Sequence, residues 1–327
     1  MNKRYLWRLL TLLVMTCFVI PYSGAETLVF KQGDHSLSGE YLEATGANPS
    51  KAVILFVHGD GATSYNAEGY YELIWQPLRE KGYAIFSWDK PSVGQSTGNW
   101  LNQSMADRQL EVLAAIDAVQ HQYGFTAENT GLLGFSQAGW VLPALANKPE
   151  KVGFMIGIGF AANWVEQGRY YTQTRHELAG SSPDQVAAAL AAYTEEITFF
   201  KGAPSYREYA QFAGQNAMSE ARYAFVLNNH LADATQDYAN INVPSLLLWG
   251  DKDLNVNAQQ EFQWWQNQSN PLITTKLIAN ANHSMLDAES FDEQSLDFKQ
   301  WLKLMWLEQE ALAADFLPTL MTWLDNR

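Results

Sequence analysis

The 327-residue chain is 47% hydrophobic and carries 21 Lys and Arg against 35 Asp and Glu, a formal net charge of −14. That balance, with no Lys/Arg cluster beyond the first eight residues, excludes a nucleic-acid partner, because phosphate binding needs a basic face that displaces counterions. A lone cysteine, Cys17, excludes an internal disulfide framework, so stability must come from a packed core, which about 300 residues can build.

The chain opens with Lys3, Arg4 and Arg8, runs through an apolar stretch over 9–20 and reaches the small residues Ser23 and Ala25. A basic head, a short apolar middle and small residues predict a secretory signal peptide, since about twelve apolar residues fall short of the ~20 that span a bilayer. Residues 1–25 are therefore expected to be removed, exporting the rest to the periplasm or medium with no transmembrane segment. Cleavage would leave 302 residues, remove three cations and Cys17, and move the formal charge from −14 to −17.

Short apolar runs then alternate with amphipathic ones, the pattern of parallel strands separated by helices. Strands are predicted at 52–57, 83–88, 130–135, 152–158, 245–249 and 274–278, each nearly continuously apolar, as when both faces of a strand are covered. Ahead of them, 27–30 and 37–44 flank Gln32-Gly33-Asp34-His35 and predict an antiparallel hairpin at the sheet edge. Ser104-Met105-Ala106-Asp107 is a capping box that opens the helix before the 130–135 strand.

From 161 to 240 the strand signal disappears and helical signals replace it, among them the N-terminal box Ser182-Pro183-Asp184-Gln185. About eighty residues are too many for a connection, so this segment is expected to be a helical lid over the carboxyl ends of the strands. On that reading 26–160 and 241–327 form the α/β core. The run Phe316, Leu317, Leu320, Met321, Trp323 and Leu324 makes a C-terminal apolar face expected to dock on the protein's own body.

Gly134-Phe135-Ser136-Gln137-Ala138-Gly139 joins a predicted strand to the start of a helix, a turn that lifts a serine hydroxyl out of a sheet. It departs from Gly-x-Ser-x-Gly at Ala138, which stands where a second glycine is expected. A serine hydroxyl needs a base, and of six histidines His283 follows the last predicted strand, where the chain order Ser…Asp…His requires it. The imidazole in turn needs a carboxylate, expected to be Asp253 in Gly250-Asp251-Lys252-Asp253, with Asp251 the alternative. Acyl transfer also needs two preset N–H donors for the developing oxyanion. These are expected from the backbone of Gln137 and, in His58-Gly59-Asp60-Gly61, of Asp60, with His58 supporting that loop rather than acting as base. Trp100, Trp140 and Trp164 are candidate pocket walls, and Glu166, Arg169 and Arg175 supply charge that could hold a charged part of a substrate.

Together with Asp89-Lys90-Pro91-Ser92-Val93-Gly94-Gln95-Ser96, these segments resemble the α/β-hydrolase superfamily in order and spacing over 28–303, and most resemble its bacterial secreted esterase-like branch. The resemblance implies an α/β-hydrolase fold with a mostly parallel central sheet, helices on both faces and a helical lid insertion. It also implies a Ser136–Asp253–His283 triad and catalysis without metal or cofactor. The activity it implies is that of a carboxylesterase-like serine hydrolase taking a small-molecule ester or acyl substrate. A serine aminopeptidase or thioesterase is the alternative on the same fold, and a non-catalytic binding protein is the rival of another class.

Overall fold

The computed structural model describes residues 24–45, 49–268, 270–291 and 297–327. The expected signal peptide, except for its last two residues, lies outside the described residues. Strands β1 (Ala25–Gln32) and β2 (His35–Leu42) form the expected antiparallel hairpin, turning at Gly33, whose φ of +56° suits a residue without Cβ. Beyond it come β3 (Ala52–Val57), β4 (Tyr83–Trp88), β5 (Thr130–Phe135), β6 (Phe154–Ile158), β7 (Ser245–Gly250) and β8 (Ile273–Ile278).

These strands make one eight-stranded sheet in the order β1-β2-β4-β3-β5-β6-β7-β8. β2 pairs antiparallel with β4, and every later pairing is parallel. All residues of β3 to β7 are buried, so the continuous apolar runs reflect covering from both sides. β8 alternates between half-buried and exposed positions up to the buried Ile278, because it closes the sheet and has no neighbour beyond it.

Helices cover both faces. On one face α2 (Met105–Tyr123), α3 (Leu142–Leu145) and α9 (Ala258–Gln266) pack into a cluster with Leu55, Leu132 and Leu247. On the other, α1 (Glu72–Glu80), α10 (Phe298–Leu307) and α11 (Phe316–Asn326) pack against Ile54, Leu133 and Leu248. Phe316, Leu320 and Leu324 of α11 are buried there, so the C-terminal apolar face docks on the protein's own body, each side chain contributing about 1.5–3 kcal/mol of burial.

Between β6 and β7 the chain is helical: α4 (Trp164–Leu178), α5 (Pro183–Phe200), α6 (Tyr206–Ala213), α7 (Glu220–Asn229) and α8 (Thr235–Ala239). Asn163, Ser182, Ser205 and Ser219 accept from the first-turn amides of the first four, which explains where each begins. This segment has its own small core of Ile197, Phe200, Tyr209 and Tyr223, while Phe225 and Tyr238 belong to the core on the α2 face of the sheet. Among the described residues no helix is long and apolar enough to cross a membrane.

Candidate active site

β5 runs directly into a 3-10 turn over Ser136–Trp140, and Ser136 sits at φ +50°, a left-handed conformation that L residues with a Cβ adopt only under constraint. The turn is tight enough that a Cβ on Gly134 would lie 2.7 Å from the Ala138 Cβ and 2.6 Å from Leu142 Cδ1. The methyl group that departs from the Gly-x-Ser-x-Gly pattern is thus accommodated by the bare Gly134 backbone. A Cβ on Gly59 would come within 3.3 Å of the Ser136 Cβ, so the loop after β3 presses against the serine.

His283 stands in the loop after β8. Asn282 holds that loop, its Oδ1 accepting from the amides of Ser284 at 2.9 Å and Leu286 at 3.0 Å. The His283 Nδ1 donates to Asp253 Oδ2 at 2.6 Å, and the Asp253 carboxylate is fully buried. Its other oxygen accepts from the amides of Asn255 at 2.7 Å and Val256 at 2.8 Å. A carboxylate that only accepts fixes the proton on Nδ1 and leaves Nε2 as a base. Asp251, the alternative acid, lies apart from this contact and pairs with Lys252 at 3.5 Å. Ser136 and His283 line one cavity of about 410 Å³, together with Asp60 and Gln137.

The Asp60 loop is held by three cations. The Lys90 Nζ donates to Gly59 O at 2.6 Å and Gly61 O at 2.9 Å, so its two bonds bracket the Asp60 peptide. Arg108 donates to His58 O at 2.6 Å and to Gln137 Oε1 at 2.7 Å, and Gln137 Nε2 donates to Asp60 Oδ1 at 3.0 Å, tying the two expected oxyanion donors together. Arg222 of α7 grips the Asp60 carboxylate with both nitrogens, at 3.0 and 2.7 Å. Burial pushes the Asp60 carboxyl up, but the hydrogen bond and charge of Arg222 outweigh it and hold the group below its usual range. Burial drives Lys90 well below the usual lysine range and lowers Arg108 as well. His58 is pushed down to about 3 by burial and by the charge of Lys90. Its Nε2 donates to Trp88 O at 2.5 Å while Nδ1 takes the Tyr71 hydroxyl at 3.1 Å, so it props the loop as a neutral ring.

Residues 54–294 match the alpha/beta hydrolase family. The chain belongs to that family. Among solved structures it is similar to a serine hydrolase involved in carbazole degradation, at 16% identity over 93% of this chain and 100% of the other, with a TM-score of 0.54. It is also similar to a proline iminopeptidase of Mycobacterium smegmatis, at 19% identity over 88% and 100% with a TM-score of 0.52. A third likeness is to an esterase of Pyrococcus furiosus, at 19% identity over 80% and 83% with a TM-score of 0.51. At these identities the likeness is one of fold. No curated protein matches the chain.

In this α/β hydrolase, Trp140 and Trp164 stack at 4.8 Å and wall the cavity. Trp100 does not belong to that wall. It packs edge-on against Phe225 at 5.4 Å and carries the Lys90 ammonium over its ring at 5.2 Å, so its indole serves the cations behind the Asp60 loop. Of the charged residues expected to meet substrate, Arg175 lines the cavity; Glu166 and Arg169 are not among its walls. Lys90, Arg108 and Arg222 were not singled out from the sequence. Arg108 had a signal, since it shares with Met105, Val112, Ala115 and Val119 the buried face of α2, where a cation is out of place unless bonded.

Proposed function

We propose that this α/β hydrolase is an exported serine hydrolase of the esterase-like branch that cleaves carboxylic esters through an acyl-enzyme. The observation that carries the reading is the 2.6 Å bond from His283 Nδ1 to the buried Asp253 carboxylate at a cavity that Ser136 also lines. On this mechanism the Ser136 hydroxyl attacks the ester carbonyl as His283 Nε2 takes its proton, and the amides of Asp60 and Gln137 receive the oxyanion. Collapse expels the alcohol, which takes the proton from His283, and water then repeats the sequence to release the acid and restore Ser136. The 161–240 segment acts as the lid, supplying Trp164 and Arg175 to the cavity. Export rests on the signal-like residues 1–25, and cleavage after Ala25 would remove only the first residue of β1.

An aminopeptidase reading is less well supported. A substrate ammonium needs a free carboxylate, and the one carboxylate among the described residues lining the cavity, Asp60, is already gripped by Arg222. A fluorophosphonate probe should label the purified protein, and p-nitrophenyl butyrate should be hydrolysed; Ser136→Ala should abolish both. Full labelling of Ser136→Ala would refute the assignment.

A further inference from the structure

Among the described residues, one cation lining the cavity has no ion-pair partner. Arg222 is neutralised by Asp60, but Arg175, in the last turn of α4, meets only neutral groups: its Nη2 donates to Asn255 Oδ1 at 2.6 Å and its guanidinium lies over the Tyr171 ring at 4.4 Å. Its Nε and Nη1 are buried without any hydrogen-bond partner among the described residues. A guanidinium presents five donors in a planar fork that matches a carboxylate, and leaving buried charged donors unmade is costly. This happens in a chain of formal net charge −14, where a carboxylate for an internal ion pair is easily supplied. Arg175 lines the same cavity as Ser136 and His283, and the Trp140–Trp164 stack gives that cavity an apolar wall.

We propose that Arg175 is the receptor for a carboxylate carried by the substrate, so that the enzyme acts on esters whose apolar chain or ring ends in an anionic group. This rests on the serine-hydrolase reading and narrows it to a substrate class. The cavity of about 410 Å³ suits a small molecule with one scissile ester, one short apolar spacer and one carboxylate. Nε and Nη1 are shielded from solvent where they stand, so the side chain turns toward the anion as it pairs, and the indoles cover the spacer. A neutral ester of the same length fills the walls and leaves the fork empty.

The test compares p-nitrophenyl hexanoate with the p-nitrophenyl hemiester of adipic acid, and phenyl acetate with 4-acetoxybenzoate, so that the carboxylate sits on the acyl and the leaving side respectively. In at least one pair the wild-type enzyme should prefer the anionic member. Arg175→Met should lower that anionic-to-neutral ratio of kcat/KM about 10- to 100-fold, mainly through KM, and Arg175→Lys should restore part of it. A loss shared by both members cancels in the ratio, so damage through the Asn255 contact does not mimic the result. Adipate titrated calorimetrically into wild type and Arg175→Met reads the site without hydrolysis and should bind only the former. An unchanged ratio, or equal adipate binding by both, would overturn the proposal. Failure of Ser136 to take the fluorophosphonate label would instead count against the hydrolase reading, and the adipate titration would still decide the anion site.

Discussion

Replacing Lys90 by methionine isolates how the Asp60 peptide is aimed. The side chain is 2% exposed, and its ammonium spans the carbonyls of Gly59 and Gly61, one on each side of Asp60. With both carbonyls fixed, the intervening N–H, the proposed oxyanion donor, has little freedom to turn, and Gly59 already packs against Ser136. Methionine fills a similar volume and removes both bonds, leaving two part-buried acceptors whose loss costs at most about 1–3 kcal/mol each, offset in part because a buried ammonium is itself expensive. The larger effect falls on turnover. Loss of one oxyanion donor costs about 10²–10³ in kcat, so Lys90→Met should lower kcat on p-nitrophenyl butyrate about 10²-fold. KM should stay within about threefold, because the ground-state carbonyl makes little use of that amide. A trifluoromethyl ketone, whose adduct with Ser136 carries the same oxyanion, should lose affinity by the factor lost in kcat/KM. A folded Lys90→Met enzyme, checked by circular dichroism, that keeps wild-type kcat and inhibitor affinity would show that Arg108 and Arg222 aim the loop without the lysine.

Asp253→Asn keeps the shape but offers an N–H2 or a neutral oxygen to Nδ1, which frees the His283 tautomer; kcat should fall about 10⁴-fold at steady KM, and a loss below about tenfold in steady-state assays would remove Asp253 from the mechanism. Gly159→Ala introduces a Cβ 2.9 Å from His283 Cε1 at a φ of +62°. It should destabilise the enzyme by about 1–2 kcal/mol in urea titration and disable the imidazole, whereas an alanine variant with full activity would contradict the close approach. Glu261 is raised by burial to about 7; with an unfolded value near 4.5, the folded state holds the extra proton between those values, so its stabilising effect is full below 4.5 and is lost as pH rises through 7. Glu261→Gln should therefore gain Tm relative to wild type between pH 5 and pH 8, and a difference curve flat with pH would refute the shift.

The strands were legible because burial on both faces writes an unbroken apolar run into the sequence, and 52–57, 83–88 and 130–135 coincide with β3, β4 and β5. The strand expected from 152 starts at Phe154, because the Val152 amide closes a turn on Lys148 O first. Ser136, Asp253 and His283 stood out as candidates because each lies just beyond a recognisable strand. The cations behind them carry no such local mark. Arg222 meets a carboxylate 162 residues away, a pairing that depends on how the helices after β6 fold back over the sheet. Trp100 misled for the same reason, since an aromatic near the site reads alike whether it faces substrate or a lysine.

The helical segment between β6 and β7 touches both arms of the machinery, and by different physics. α4 reaches the acid loop through Tyr170 Oη on Asp253 O at 2.9 Å, Gln167 Nε2 on Asn255 O at 2.8 Å and Arg175 Nη2 on Asn255 Oδ1 at 2.6 Å, bonds to uncharged acceptors that salt screens little. α7 reaches the proposed oxyanion loop through Arg222 on Asp60, whose side chains are 34% and 43% exposed, so the pair is worth only about 0–1 kcal/mol and weakens with ionic strength. The attachment at α4 therefore belongs to the standing geometry of His283 and Asp253, while the one at α7 is the attachment that salt can loosen. Raising salt from 0.05 to 1 M should consequently depress kcat through the Asp60 donor (flagged by a loss of trifluoromethyl ketone affinity), and Arg222→Met should abolish that dependence; a salt response identical in the variant would place its origin elsewhere.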